Sequence, residues 1–140
     1  MKVLRWFLGG LTCGIIGEVC GWLFYGALFA KWTSQYQHLW RSINDPIWRI
    51  GMPLADILNG LMISLGFAIL YRGIPGEGIK KGLMFGLTLW LITRLAGELF
   101  FYTMSPVSFM MVVVGWLHGI VFLLLGGLVI AAIYGRSLEE

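Results

Sequence analysis

The chain has 140 residues, 59% of them hydrophobic and only 12% charged, with a mean hydropathy of +0.84 and a formal net charge of +3. Soluble domains carry about a quarter charged residues, so a water-soluble catalytic domain is excluded. The small positive excess is scattered along the chain and excludes a nucleic-acid-binding face.

Four apolar segments, 6–29, 50–71, 82–102 and 106–134, take up nearly the whole sequence. Each exceeds or matches the ~20 residues that cross a bilayer as a helix. The expected fold is therefore all-α and integral to the membrane: a single four-helix transmembrane domain over residues 1–140. In the first segment the basic start could suggest a secretion signal. Its apolar stretch is longer than the usual core of such a signal, and Ala27-Leu28-Phe29-Ala30 lacks a small residue at the −3 position. It reads as a retained span. Gly10, Gly14, Gly17 and Gly21 form a helix-packing stripe on it, with Glu18 at the flank. Cys13 and Cys20 are about 10 Å apart along a helix, too far for a disulfide, and are expected as buried free thiols.

The connection 31–49 places Trp32, Tyr36, Trp40 and Ile43 on one helical face, with Lys31, Gln35, Gln37 and Arg41 off it. This predicts an amphipathic helix lying in the membrane interface, an anchor in preference to a lid. In the second span, Met52-Pro53 suggests a proline in the first turn, and Asp56, Asn59, Gly60 and Ser64 share a face. Asp56 would then feel the positive end of the helix dipole. A Gly/Pro-rich turn over 72–81 leads to the third span, where Arg94 and Glu98 are one turn apart and can touch. Ser105 and Pro106 suggest the cap and first residue of the fourth span. Gly115, Gly119 and Gly126 line that helix as a second packing stripe, with His118 beside it.

Counted inward from the end of the bundle that carries the first and third connections, Glu18, Asp56, Arg94, Glu98 and His118 fall in one layer, ~6–18 Å deep. Ionisable groups in hydrocarbon cost at least ~2.5 kcal/mol each and mark pathways, sites or buried pairs. With Asn59 they form the candidate substrate- or ion-binding set. Three carboxylates face one arginine, and a dry pocket does not hold that excess, so a proton or a cation is expected there, with Glu18 the foremost candidate. The competing reading is structural: an Arg94–Glu98 ion pair, a dipole-stabilised Asp56 and a hydrogen-bonded core histidine.

No catalytic residues, cofactor or metal are expected. A metal site needs three or four ligands, and the other histidine, His38, lies in the first connection. Chemistry on a lipid-soluble substrate is the weakest reading. The chain also repeats itself. Gly17-Glu18 aligns with Gly97-Glu98, and Leu58-Asn59-Gly60-Leu61 with Leu117-His118-Gly119-Ile120. The offsets are 80 and 59, and they suggest a 2+2 parallel repeat about an axis along the membrane normal. Lys2, Arg5, Arg72, Lys80, Lys81 and Arg136 lie at one end of a four-span arrangement; Lys31, Arg41 and Arg49 lie at the other. By the positive-inside rule, both termini are expected in the cytoplasm.

The run from Gly21-Trp22 through Tyr25-Gly26 and Phe29 to Lys31-Trp32 resembles a pattern in uncharacterised four-helix bacterial inner-membrane proteins. That resemblance implies a bacterial inner-membrane location and no activity. A glutamate in the first of four helices is also similar to small multidrug transporters, but their helix and loop sequences differ and no residue is carried across. The leading expectation is a small transporter- or channel-like protein, surrounded by lipid and working as a homodimer, because four helices alone enclose little space. The alternative is an accessory or assembly subunit whose glycine stripes dock a partner membrane subunit.

Overall fold

The structure, a computed structural model, describes residues 2–135. In chain order its helices are α1 (Lys2–Leu28), the single-turn α2 (Ala30–Thr33), α3 (Pro46–Gly73), α4 (Ile79–Met104) and α5 (Phe109–Gly135). All but α2 are long and apolar enough to cross a membrane, and every regular element among the described residues is helical. The chain is a multi-pass, all-α membrane protein. Arg136, counted above with the basic end, lies outside the described residues. The end bearing residues 2 and 135 and the α3–α4 turn is called terminal below; the opposite end is called distal.

Three boundaries differ from the sequence reading. The cap of α3 is Asp45, whose carboxylate accepts from the Ile47 amide at 2.8 Å, with Pro46 at the first helical position. Pro53 is therefore internal, and Asp56 is well inside the helix, beyond the reach of the dipole at its start. The fourth span begins after Ser108, not at Pro106, because the Ser108 amide is engaged by the Tyr36 hydroxyl at 2.9 Å. Nor is there one amphipathic helix over 31–49. Beyond α2 the chain tightens into a 3-10 stretch, Ser34–Leu39, and turns extended at Trp40. Trp40 stacks on Phe101 of α4 at 5.7 Å, while Ile43 is 71% exposed, so the expected apolar face ends at Trp40. The segment is tied across the distal end instead of lying free on a surface.

Glycines set which helices approach. A Cβ on Gly60 of α3 would overlap the backbone of Gly10 and Gly14 of α1, so these two helices cross in direct backbone contact. The Ser64 hydroxyl donates to the Trp6 carbonyl at 3.1 Å across the same interface. Likewise Gly82 and Gly86 of α4 lie against the backbone of Gly127 and Leu123 of α5. The central pair is α1 and α5, where the Cys13 sulfur sits 2.7 Å from the position a Cβ of Gly126 would take. Both cysteines are free and buried. The spatial order is α3–α1–α5–α4, and α3 and α4 share no comparable backbone contact.

The repeat offsets reappear as geometry. Adding 80 to α1 positions and 59 to α3 positions turns the Trp6·Ser64 contact into Gly86·Leu123, and Gly14·Gly60 into Arg94·Gly119. All four pairs are in contact. The two helical hairpins therefore pack alike. They do not meet each other symmetrically: the counterpart of the close α1–α5 interface is the α4–α3 side, where the helices stand apart.

Within the spans, Trp22–Leu28 of α1, Trp90–Leu95 of α4 and Ala131–Gly135 of α5 widen into π-helix. A π-helical stretch displaces carbonyls from the regular ladder, and in hydrocarbon each needs another partner. Thr33 donates to the Tyr25 carbonyl at 2.7 Å, and the Trp116 indole donates to that of Leu95 at 3.2 Å. Trp90 returns a bond to the Trp116 carbonyl at 3.0 Å, stitching α4 to α5.

Candidate functional site

Helix boundaries bring the candidate residues to nearly one depth. Glu18 is 10 residues before Leu28, Asp56 10 after Pro46, Arg94 10 before Met104 and His118 9 after Phe109. At 1.5 Å per residue, these lie ~14–15 Å from the distal ends of their helices, with Glu98 nearer at ~9 Å. The layer is tighter than the sequence alone suggested, because α3 starts earlier than expected.

The carboxyl groups of Glu18 and Asp56 meet across the α1–α3 interface within hydrogen-bonding reach of each other. Such a bond needs a proton on one of them, since an ionised carboxylate only accepts. The Asp56 carboxyl also overlies Gly17, 3.7 Å from where a Cβ would project. On α4, the Arg94 guanidinium pairs with Glu98 at 3.3 Å, the two side chains being 34% and 13% exposed. The charge of Arg94 also acts on Asp56, Tyr25 and His118, so residues from all four spans belong to one electrostatic set.

The α5 glycines have a different use from the one expected. Gly115 lies under the Glu98 carboxylate and Gly119 under the aliphatic stem of Arg94, and a Cβ at either would collide with that side chain. They seat the ion pair more than they dock a helix. Gly10 and Gly14 pack as expected, and Gly17 abuts Phe122 as well as Asp56. Gly21 has open space around it and is not a packing residue. The glycines that do join α4 to α5 are Gly82, Gly86 and Gly127, which the stripe on α5 alone did not reveal. The Gly82-x-x-x-Gly86 spacing was their signal.

His118 is 8% exposed, and both ring nitrogens are buried without a hydrogen-bond partner. Its ring sits in an aromatic box, 5.7 Å from Phe24, 5.2 Å from Tyr25 and 6.2 Å from Phe122. Almost all buried polar atoms in folded proteins are paired, so two open nitrogens on one ring beside a charged set mark a place where another polar atom belongs. Tyr25 was not among the sequence candidates. It lies two turns from Glu18 on the same face of α1, and that seven-residue spacing could have found it. Asn59 is exposed and has no hydrogen bond among the described residues. Nor do three His, Cys, Asp or Glu side chains among those residues group to hold a metal ion.

Comparison with protein-family models, with curated proteins and with solved structures gave no match.

Proposed function

We propose that this chain is a small transporter- or channel-like protein of the bacterial inner membrane, with both termini in the cytoplasm, and that its buried polar layer handles a proton or a small cation. The observation that carries the reading is the unpartnered, buried His118 beside a set in which Glu18, Asp56 and Glu98 outnumber Arg94. A purely structural network would be expected to satisfy its own members; this one leaves two nitrogens open and a surplus of acid. A carboxyl pair that must hold a proton, next to a histidine, suits ion-coupled movement. The orientation rests on Lys2, Arg5, Arg72, Lys80 and Lys81 at the terminal end against Lys31, Arg41 and Arg49 at the distal end.

The accessory-subunit reading also has a specific observation in its favour. Arg94 is partly exposed at a depth where lipid is a poor neighbour, and a partner helix would cover it. Flux and co-purification separate the two. Purified protein in liposomes with an internal pH dye should pass protons or alkali cations under an imposed gradient, and Glu18→Gln should lower that rate at least about tenfold. No flux under any gradient, together with one stoichiometric membrane partner in mild detergent, would favour the accessory role.

A further inference from the structure

The side between α3 and α4 is a window with a defined frame. Its distal edge is the chain from Trp40, stacked on Phe101 of α4, to Pro46 at the start of α3. Six residues reach at most ~20 Å, which limits the width there. Its terminal edge is the contact between Phe67 of α3 and Phe85 of α4, ring centroids 5.3 Å apart. Phe67 occupies the position equivalent to Gly126 (126 less 59), so a ring stands where the α1–α5 interface has a glycine. Along α4, the 16 residues from Phe85 to Phe101 give a height of ~24 Å, with Arg94 between them. Asn59, the equivalent of His118, is exposed.

The window looks into hydrocarbon, and the segment tied across α5 and α4 by Tyr36 and Trp40 covers the distal end of the bundle. A ligand dissolved in the bilayer therefore has a shorter route to the polar layer than one in water. Charge decides its head group. Glu18, Asp56 and Glu98 against Arg94 leave −2, or −1 with one proton held between Glu18 and Asp56. A phosphate or carboxylate would add to the excess; an ammonium would cancel it. An ammonium also carries the N–H donors that an open nitrogen of neutral His118 can accept.

We propose that the opening between α3 and α4 admits an amphiphile with a cationic amine head from the bilayer, its head resting among Glu18, Asp56, Glu98 and His118 and its chain lying in the window. This rests on the reading of the polar layer as a binding site and names its ligand class.

Spin-labelled stearylamine, stearic acid and phosphatidylcholine in phosphatidylcholine bilayers containing the protein would test it, through the motionally restricted fraction in the electron paramagnetic resonance spectrum. The amine should associate about tenfold more strongly than phosphatidylcholine, the size of one charge-assisted contact. Glu18→Gln with Asp56→Asn should remove that preference. Asn59→Trp, which changes no charge but fills the window, should also reduce it, while Asn59→Ala keeps it. Equal association of all three probes, an acid preference, or full amine binding in Asn59→Trp would overturn the proposal. So would a second copy of the chain found sealing the window, without amine selectivity. The assay reads binding and not flux: ion movement without amine preference defeats this inference alone, and amine preference without ion movement defeats the transport reading alone.

Discussion

Both His118 nitrogens are sealed from solvent and lack a partner, which in a folded interior costs about 1–3 kcal/mol for each unsatisfied group. Phe24, Tyr25 and Phe122 form a box that a phenyl ring would fill about as well as the imidazole. His118→Phe is therefore expected to raise the stability of detergent-solubilised protein by about 1–3 kcal/mol in thermal unfolding while impairing flux. A destabilised variant would mean that the ring nitrogens are satisfied after all. Arg94 and Glu98 call for a cycle. Each single change to glutamine leaves a partner charge in the membrane, whereas the double change leaves none. The double variant should be more stable than the sum of the singles allows, with a coupling of at least about 1 kcal/mol in equilibrium unfolding; additive effects would show that the pair is not engaged. At this scale the sequence exposed the charged residues, because charge in an apolar run stands out. It hid Tyr25, because an aromatic at a span's distal end looks like an interfacial anchor until its ring is seen against His118.

At the scale of helices, glycine position matters more than glycine number. Gly60→Ala would drive a methyl into the Gly10 and Gly14 backbone, which cannot move aside, whereas Gly21→Ala meets open space on a helical residue. Overpacking of this kind costs about 1–3 kcal/mol, and replacing an exposed helical glycine by alanine gains up to about 1 kcal/mol. Thermal melts should thus move in opposite directions for the two variants. A similar melting point for both would contradict the backbone crossing of α1 and α3. The four spans were legible because unbroken apolar length is a strong signal. Their ends were not. Two Pro-containing starts, Asp45-Pro46 and Met52-Pro53, compete for α3, and only the Asp45 carboxylate bond to Ile47 decides between them. The first connection was misread for a related reason: Tyr36 and Trp40 do have helical spacing, but their tertiary partners on α5 and α4 override local preference. Periodicity cannot report a partner 72 residues away.

At the scale of the molecule, two hairpins with equivalent internal contacts are joined along one side and left apart along the other. The joined side buries Cys13 against Gly126 and places His118 behind the polar layer; the open side exposes Asn59 and part of Arg94. One hairpin alone would hold only half of the set. The layer exists because four helices deliver their polar groups to one level, which is why the account treats it as a single functional unit.

The direct test is proton flux into liposomes for variants drawn from each span: Glu18→Gln, Asp56→Asn, Glu98→Gln and His118→Phe, with lipid-facing Ile92→Leu on α4 as the control. The account expects each of the four to reduce flux at least about tenfold while the control stays at the wild-type rate. Flux that survives three of these changes, or falls equally in the control, would contradict a shared polar site.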